Sequence, residues 1–553
     1  MDIQKNKTFS ALIMLVTVLI GGTFAFLLVE EDWTFLDALY MTVISVTTVG
    51  FGEVQPLSSE GRIVAMLVIL AGLGIVGLIA TQIATYAVSG ELGGSFERRR
   101  IAKTISSFSG HTIVCGYGSR GECLTSSLLI HHTNTPNGNN QTIVVIESQT
   151  DSPTLNKLKI QGVPVIHGNA SNQSILDLAG INRASQVIIV AGSDETNLII
   201  AQEVSESVSK ISNSPEIIAG IESYTARSFF ADKVSQNGIK VMGFRKQAFL
   251  LMAMEFAINI IKNIDQIPQA PHSILVDVDE TIREELLRAL IMVFQIAGNQ
   301  KPIITVHSSS DAFRSGFIET FPEYFSCALI EWEYDFLQSD SGKTSKADLA
   351  IFSLGTDFAT LEAAERFLLR NPNLAQHQVV ACVRDNGSVQ KLALLPDTYK
   401  RSPLVVSLLQ FIENNAEFSA HAMEGQGKEL HENYRASVMP GKDPGNWEGL
   451  SEFLRESNRM AALNQPIIKL LWGKLIEAGM ENKAALDYLT VTEHMRWMAF
   501  HVMSGWRKDT KGIKDRKQRA MLKLHPDIVP FDMLDEPTKE YDLNNVLKAL
   551  GND

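Results

Sequence analysis

Cysteine is scarce in this sequence of 553 residues, and its four copies are scattered without any C-x-x-C spacing. That pattern argues against a disulfide framework and against a zinc site, and it fits a reducing compartment. Positive charge is also in deficit, because 49 Lys and Arg stand against 62 Asp and Glu, which gives a formal net charge of −13. A chain this acidic is not expected to bind nucleic acid.

A catalytic constellation is missing as well. The sequence contains no motif typical of an activated nucleophile. One feature is shared with dehydrogenases, a glycine fingerprint at residues 116–121 that is described below, and alone it does not indicate hydride transfer. We therefore expect a protein that is not an enzyme.

Two long apolar segments, residues 9–29 and 62–88, lie near the N-terminus. As helices they reach roughly 30 and 40 Å, enough to cross a hydrocarbon core. Lys and Arg flank the N-terminal side of the first segment and the C-terminal side of the second. Because positively charged flanks stay in the cytoplasm, we expect two spans of the inner (plasma) membrane, contact with its lipid, and cytoplasmic N- and C-termini.

Between these segments lies a short run, residues 34–46, followed by Thr-Thr-Val-Gly-Phe-Gly-Glu at residues 47–53. The run is too short to span and fits a re-entrant pore helix. Irregular backbone at membrane depth is tolerated where it lines a water-filled path, and glycine permits a backbone whose successive carbonyls face one way. The predicted filter residues are Thr48, Val49, Gly50, Phe51 and Gly52, and the carbonyls of the first four, with the Thr48 hydroxyl, are the predicted cation ligands.

The same stretch closely resembles the T-V-G-Y-G signature of potassium channels, with Phe51 for Tyr and Glu53 for the usual Asp. Both changes keep the number of carbonyls, and the first removes a tyrosine hydroxyl that braces the filter. The resemblance implies K⁺ as the permeant ion. Since one chain supplies one pore loop, it also implies a homotetramer with cyclic symmetry. The alternative interpretation is a Gly-containing turn between two apolar helices.

The second apolar segment contains Gly72, Gly74 and Gly77. Gly72 lies where similar two-span, ligand-gated channels have a hinge glycine, so the resemblance implies a gating hinge at Gly72 and Gly74. Small residues also permit close helix packing, and the two interpretations remain open. Residues 90–95 are typical of a linker to the rest of the chain.

A glycine fingerprint, Gly116-x-Gly118-x-x-Gly121, follows a short buried strand and precedes a helix predicted over residues 122–130. A second predicted strand is followed by Glu147. Such glycines admit a phosphate group to the helix N-terminus, and such a carboxylate binds ribose hydroxyls. The pattern predicts a site for NAD(H) or an adenine nucleotide. The alternative is a fold that keeps its glycines for packing.

Residues 110–265 resemble the RCK domain (regulator of potassium conductance), which is related to the TrkA-N nucleotide-binding subunits of potassium uptake systems. Besides the fingerprint, the resemblance rests on Gly168-Asn169-Ala170, Leu178-Ala179-Gly180-Ile181 and Ser193-Asp194-Glu195-Thr196-Asn197. Asn169 stands where the family often has Asp. Asp194, Glu195 and Glu222 lie near positions that bind Ca²⁺ in some relatives, and helix-capping and surface acids are their alternative roles.

A predicted amphipathic helix, residues 245–264, swaps across a dimer interface in RCK-like domains. Beyond it, strands and helices alternate again. The strands are predicted at residues 273–278, 303–306, 327–332, 349–354 and 379–383. Ser353-Leu354-Gly355-Thr356 lacks the full fingerprint, so we interpret this region as a degenerate second RCK domain with a structural role.

After a polar connector at residues 425–443, the pattern becomes helical without strand signals. It resembles the ryanodine-receptor repeat through Asn433-Tyr434-Arg435, Trp447-Glu448-Gly449-Leu450, Glu493-His494-Met495-Arg496-Trp497 and Gly505-Trp506-Arg507. Aromatic faces beside guanidinium groups suit stacking on a base and pairing with phosphate. The candidate ligand residues are Arg496, Trp506 and Arg507. Alternatively, the tryptophans form the core of a helical bundle.

The sequence therefore predicts a multi-domain chain. An α-helical membrane pore (two spans plus a re-entrant pore loop) covers residues 1–97, two α/β Rossmann-like RCK domains cover 98–268 and 269–424, and an all-α domain covers 425–553. The predicted function is potassium conduction gated by a nucleotide or an ion, with the C-terminal domain as a further sensor. The alternatives are a membrane subunit of a potassium uptake transporter, a weakly selective cation channel, and a membrane-anchored NAD-dependent enzyme.

Overall fold

The computed structural model describes residues 2–53, 55–88, 100–134, 142–149, 153–209, 214–235, 237–264, 267–276, 280–307, 311–333, 347–383, 402–407, 420–437 and 445–551. The chain divides into two compact units, Met1–Thr104 and Ile105–Asp553. The predicted domain boundary at residues 97 and 98 and the predicted linker at 90–95 lie outside the described residues.

The first unit contains two long helices, α1 (Asp2–Val29) and α3 (Ser59–Val88), with the shorter α2 (Phe35–Val46) between them. The Thr34 hydroxyl accepts a hydrogen bond from the Asp37 N–H at 3.3 Å, and the Asp37 carboxylate accepts one from the Thr34 N–H at 3.1 Å. This reciprocal capping makes Thr34 the N-cap of the short helix, which therefore begins one residue later than predicted.

The helices of the first unit carry extensive apolar surface. In the described part of the chain, residues 59–77 of α3 are long and apolar enough to cross a membrane, whereas Ile13–Val29 and Phe35–Val46 are apolar but shorter. Five large apolar side chains of α3 are 55–67% exposed: Ile63, Met66, Leu67, Leu70 and Leu73. Apolar surface of this extent suits contact with lipid or with further copies of the chain.

The first sheet of the second unit contains six parallel strands in the order β3–β2–β1–β4–β5–β6. In the doubly wound fold with this order, ligands bind at the carboxyl ends of the central strands, where the order reverses. The strands are β1 (Thr112–Cys115), β2 (Ile143–Glu147), β3 (Val165–His167), β4 (Gln186–Ile189), β5 (Glu216–Gly220) and β6 (Ile239–Met242). The helices are α4 (Ser119–Asn134), α5 (Pro153–Ile160), α6 (Gln173–Leu178), α7 (Asp194–Val208), α8 (Tyr224–Ser235) and α9 (Phe244–Lys262).

A second parallel sheet repeats this topology, with the order β9–β8–β7–β10–β11–β12. The prediction of a second Rossmann-like sheet is confirmed, although the sequence pattern did not predict its last strand. The strands are β7 (His272–Val276), β8 (Ile303–His307), β9 (Leu329–Glu333), β10 (Leu349–Phe352), β11 (Val379–Val383) and β12 (Leu404–Ser407). The helices are α10 (Glu280–Val293), α11 (Asp311–Thr320) and α12 (Asp357–Arg370).

The C-terminal part consists mainly of helices. They are α13 (Ala420–Ser437), α14 (Glu452–Glu477), α15 (Asn482–Val502), α16 (Arg516–Met521) and α17 (Glu536–Leu550). The prediction of a connector at residues 425–443 is wrong up to Ser437, because this part belongs to α13, which packs on α14 and buries His431. Residues 438–444 lie outside the described residues. A short parallel pair, β13 (Arg507–Lys508) with β14 (Leu524–His525), also appears where no strand was predicted.

The C-terminal helices share one hydrophobic core with the second sheet. This core extends from α9 through α10 and the second sheet to α14, α15 and α17. Helix α9 packs against α10 and α14 of the same chain. The resemblance of this region to RCK domains implies that the helix swaps across a dimer interface, and that swap stays a prediction. The helical domain is therefore an integral part of the second unit.

A buried ionic network joins three parts of the second unit. Arg227 of α8 pairs with Glu285 of α10, whose second oxygen lies 2.9 Å from Arg288 Nη1. Arg288 is 1% exposed and donates two hydrogen bonds, of 3.0 and 2.7 Å, to the Met503 carbonyl after α15. Burial opposes ionisation of Glu285, but Arg288, Arg227 and Lys246 together hold its pKa below the usual value.

The substitution Glu285→Gln removes the carboxylate between two buried guanidinium groups. Because breaking a buried ion pair leaves an uncompensated charge, we expect a destabilisation of about 3–5 kcal/mol. The measurement is the midpoint of thermal unfolding of the full chain in detergent. Glu284→Gln is the matched control, since Glu284 is only half-buried and forms no ion pair within the described residues. Equal midpoints for the two variants would contradict this role of Glu285.

Candidate functional site

The predicted filter follows the C-terminal end of α2, and its backbone dihedral φ alternates in sign from residue to residue. The dihedral φ is positive at Thr48 (+56°), Gly50 (+59°) and Gly52 (+116°), and not at Val49 or Phe51. Alternation of left- and right-handed conformations turns successive N–H groups to one side and successive carbonyls to the other. Glycine adopts the left-handed conformation without steric cost, whereas β-branched Thr48 adopts it at a cost of about 1–3 kcal/mol.

The N–H groups of this stretch donate back to α2. Those of Val49 and Gly50 donate to the Ile44 carbonyl at 3.1 and 3.3 Å, and that of Thr48 donates to the Ser45 carbonyl at 3.3 Å. Within the described residues, the carbonyls of the four predicted ligands accept no hydrogen bond, and the four residues are exposed in the single chain. These carbonyls are therefore free acceptors, as coordination of a dehydrated cation requires.

The predicted hinge glycines have different surroundings. A Cβ at Gly72 would lie 2.8 Å from the Val46 Cα and 3.1 Å from its carbonyl oxygen, so a side chain would push α3 away from the helix that precedes the filter. A Cβ at Gly74 would meet nothing within 4 Å. The structure gives Gly72 a packing role, and a hinge at either glycine stays a prediction.

The glycine loop lies between β1 and α4, at the switch point of the first sheet. Gly116 has a φ of +98°, and a Cβ there would lie 2.6 Å from the Ala191 Cα. A Cβ at Gly121 would overlap the Gly116 carbonyl oxygen. Gly118 is different, since it is exposed and a Cβ there would meet nothing within 4 Å. Helix α4 begins at Ser119, three residues earlier than predicted, so Gly118 is open to a ligand at the helix N-terminus.

Glu147 ends β2 and contacts the glycine loop. One carboxylate oxygen accepts a hydrogen bond from the Tyr117 N–H at 2.5 Å, and the other accepts one from the Gln149 N–H at 2.8 Å. Glu147, the residue predicted to bind the ribose, therefore lies beside the loop predicted to bind the phosphate, as one shared site requires. Asn169 instead closes a turn after β3, because its side-chain oxygen accepts a hydrogen bond from the Ser171 N–H at 2.9 Å.

The acids weighed as calcium ligands have internal partners. The Asp194 carboxylate accepts hydrogen bonds from the N–H of Glu222 and of the following residue, at 2.9 and 2.8 Å. Glu222 accepts one from the Arg245 N–H at 3.1 Å, and Glu195 is exposed on α7. Among the residues that the structure describes, no group of three or more His, Cys, Asp or Glu is placed to hold a metal ion. These contacts match the structural role given above as the alternative.

The three candidate residues of the C-terminal domain have different surroundings. Arg496 is 2% exposed and donates two hydrogen bonds of 2.8 Å to Glu493. Arg507 is exposed on β13. Trp506 is half-buried, stacks on Phe453 with 4.9 Å between ring centroids, and lines a cavity. Arg496 is therefore paired inside the bundle, and nothing in the sequence pattern indicated Phe453.

Two parts of the chain match known families. Residues 13–89 match the family described as Ion channel, and residues 112–242 match the family described as TrkA-N domain. The chain joins an ion channel domain to a TrkA-N domain. Both matches agree with the predictions for the pore and for the first RCK domain, whereas the ryanodine-receptor resemblance stays a prediction.

Potassium channels are among the relatives of this chain. Potassium channel protein 1 of Methanocaldococcus jannaschii is 29% identical over 202 residues, which cover 36% of this chain and 57% of the relative. The calcium-gated potassium channel TvoK of Thermoplasma volcanium is 30% identical over 235 residues, which cover 39% of this chain and 60% of the relative. The chain thus spans less than two thirds of the length of these relatives.

A solved structure of GsuK bound to ADP is also similar. It shares 16% identity, and the match covers 74% of this chain and 97% of GsuK, with a TM-score of 0.37.

The openness of Gly118 allows a direct test of the nucleotide prediction. In Gly118→Asp, a carboxylate occupies the position expected for a phosphate, so we expect NADH to bind at least about ten-fold more weakly. The measurement is calorimetry on the full chain in detergent. Gly355→Asp is the matched control, because Gly355 lies outside the glycine fingerprint, in the loop after β10 of the second sheet, and is also exposed with nothing within 4 Å of a Cβ. If both variants bind NADH as the wild type does, the glycines are structural.

Proposed function

We propose that this chain is one subunit of a homotetrameric potassium channel in the plasma membrane, and that a nucleotide at the glycine loop controls its conduction. The observation that carries the proposal is the alternating sign of φ along residues 48–52, where the carbonyls of residues 48–51 accept no hydrogen bond from any described residue. The Ion channel match, the TrkA-N match and the potassium channel relatives support it.

A tetramer follows from the requirements of the ion. One chain offers carbonyls on one side only, whereas a dehydrated cation needs ligands all around it, and a ring of four filter loops supplies them. Val49 and Phe51 are 54% and 82% exposed in the single chain. Neighbouring copies would cover these apolar side chains.

Gating by a nucleotide requires that the ligand favour one conformation of the cytoplasmic part over another. The glycine loop supplies the place for such a ligand, with Gly118 open and Glu147 beside it. The two Rossmann-like sheets of each chain would give eight domains in a tetramer, enough for a ring below the membrane. Conduction that depends on a bound nucleotide distinguishes this function from that of an unregulated pore.

The filter is tested by Gly50→Ala. Because Gly50 has a φ of +59°, a methyl group strains the backbone that aligns the carbonyls. We expect selective K⁺ flux to be lost. The measurement is the reversal potential of purified protein in liposomes with opposed K⁺ and Na⁺ gradients.

Gly21→Ala is the matched control, since Gly21 lies within α1 and a Cβ there would meet nothing within 4 Å. It should keep the wild-type reversal potential. Unchanged selectivity in Gly50→Ala would refute the filter. The same liposomes test the alternatives, because a transporter subunit alone would give no passive K⁺ flux and a weakly selective channel would give a reversal potential near zero.

A further inference from the structure

A cavity of about 440 Å³ lies inside the second unit, between the first sheet domain and the C-terminal helices. Helices α8 and α9 and strand β6 form one side, and α14 with Trp506 and Lys523 forms the other. Its volume lies in the range of small-molecule sites, roughly 300–1,000 Å³. Neither the glycine loop nor Glu147 lines it, so it is separate from the predicted nucleotide site.

The wall of this cavity is rich in cations, with six Lys or Arg side chains against three Glu. Most of these cations have close carboxylate partners. Arg459 lies 3.0 Å from Glu424 and 2.8 Å from Glu452, and Lys246 pairs with Glu456. Arg227 and Lys240 pair with acids outside the lining. The remaining two cations, Arg455 and Lys523, are therefore the ones available to an anion.

Among the described residues, neither Arg455 nor Lys523 has a carboxylate oxygen within hydrogen-bond distance, and Arg455 donates to the Glu448 carbonyl at 3.3 Å. Arg455 approaches Glu452 only at 3.8 Å. Lys523 forms no ion pair within the described residues, and its Nζ contacts the Ser504 carbonyl at 3.1 Å and the Tyr224 hydroxyl at 3.5 Å. Burial and the nearby Arg288 lower the pKa of the Lys523 ammonium, which a bound anion would counteract. Two cations without close carboxylates suit the charge of a phosphate monoester.

One wall of the cavity is aromatic. Trp506 and Phe453 both line it, and their rings stack at 28° to each other. Phe453 covers part of the Trp506 indole. Because Trp506 is only half-buried, the rest of the indole offers apolar surface to the cavity. A flat ring stacked on such a surface gains more than the burial of its area alone.

The backbone at Lys523 is held in an uncommon conformation. Its φ is +50°, and Thr48 of the filter is the other non-glycine residue with a positive φ in the described parts of the chain. The Lys523 carbonyl accepts a hydrogen bond from the Arg507 N–H at 2.8 Å, which pairs β13 with the segment before β14. Strain of this kind concentrates at functional sites, and here it accompanies the side chain that reaches the cavity.

We propose that this cavity binds a small phosphate-bearing molecule that carries a flat ring. The phosphate pairs with Lys523 and Arg455, and the ring packs on Trp506.

The position of the cavity links its occupancy to the packing of the second unit. Arg227 lines the cavity and pairs with Glu285, which also holds Arg288. Because the wall of the cavity includes Arg227, a ligand that binds one arrangement of this wall better than another shifts the contact between the first sheet domain and the helices. An effect on conduction rests on the proposed function, whereas binding itself does not.

The test uses AMP, adenosine and inorganic phosphate with the full chain in detergent. All proteins carry Gly118→Asp, which we expect to weaken nucleotide binding at the glycine loop. We expect calorimetry to detect AMP binding, and adenosine and phosphate to bind at least about ten-fold more weakly, because each lacks one part of the ligand. Adding Lys523→Gln should weaken AMP binding at least about ten-fold. Adding Lys517→Ala, at an exposed lysine of the neighbouring α16, should not.

A second variant keeps the test independent of the fold around Lys523. AMP should quench tryptophan fluorescence in the Gly118→Asp protein, and Trp506→Phe should abolish that quenching while the midpoint of thermal unfolding stays unchanged. Absence of AMP binding, or AMP binding that Lys523→Gln and Trp506→Phe both leave intact, overturns the proposal. Either result leaves the proposed channel standing, because K⁺ flux is measured separately.

Discussion

The first unit depends on one constraint, the free carbonyls of residues 48–51. Their own N–H groups donate back to α2, and within the described residues nothing donates to the carbonyls. In a bilayer such groups need a partner from outside the chain, because no water reaches them in the hydrocarbon region. In the proposed channel a dehydrated cation is that partner, and the close approach of Gly72 to Val46 keeps α3 packed against the helix that precedes the carbonyls.

The second unit depends instead on a buried charge. The Arg288 guanidinium has partners in three parts of the chain: Tyr224, whose ring lies 4.0 Å away, Glu285, and the Met503 carbonyl. The C-terminal helices therefore share a core with α9, α10 and the second sheet, whereas the sequence pattern predicted them as a separate all-α domain. Deleting them would expose the shared core, so point variants report on their function more clearly than a truncation.

Local patterns predicted much of this architecture, because strand periodicity, glycine spacing and the length of an apolar segment each depend only on residues that are close in sequence. The central strands and the loop around Gly118 lie where they were predicted. The cavity was not predictable in the same way. Phe453, Trp506 and Lys523 are far apart in sequence from α8 and β6, and only tertiary packing brings them together. Arg496 stood beside an aromatic residue in sequence, yet in three dimensions it pairs with Glu493.

Two non-glycine residues with positive φ, Thr48 and Lys523, mark the two sites in different ways. At each position a glycine would remove the strain, so the side chain must offset a cost of about 1–3 kcal/mol. For Thr48 the side chain offers a hydroxyl, which is a predicted cation ligand and which glycine lacks. For Lys523 it offers the ammonium group in the cavity wall that has no carboxylate partner among the described residues. In both cases the strained residue supplies a polar group at a predicted or proposed ligand site.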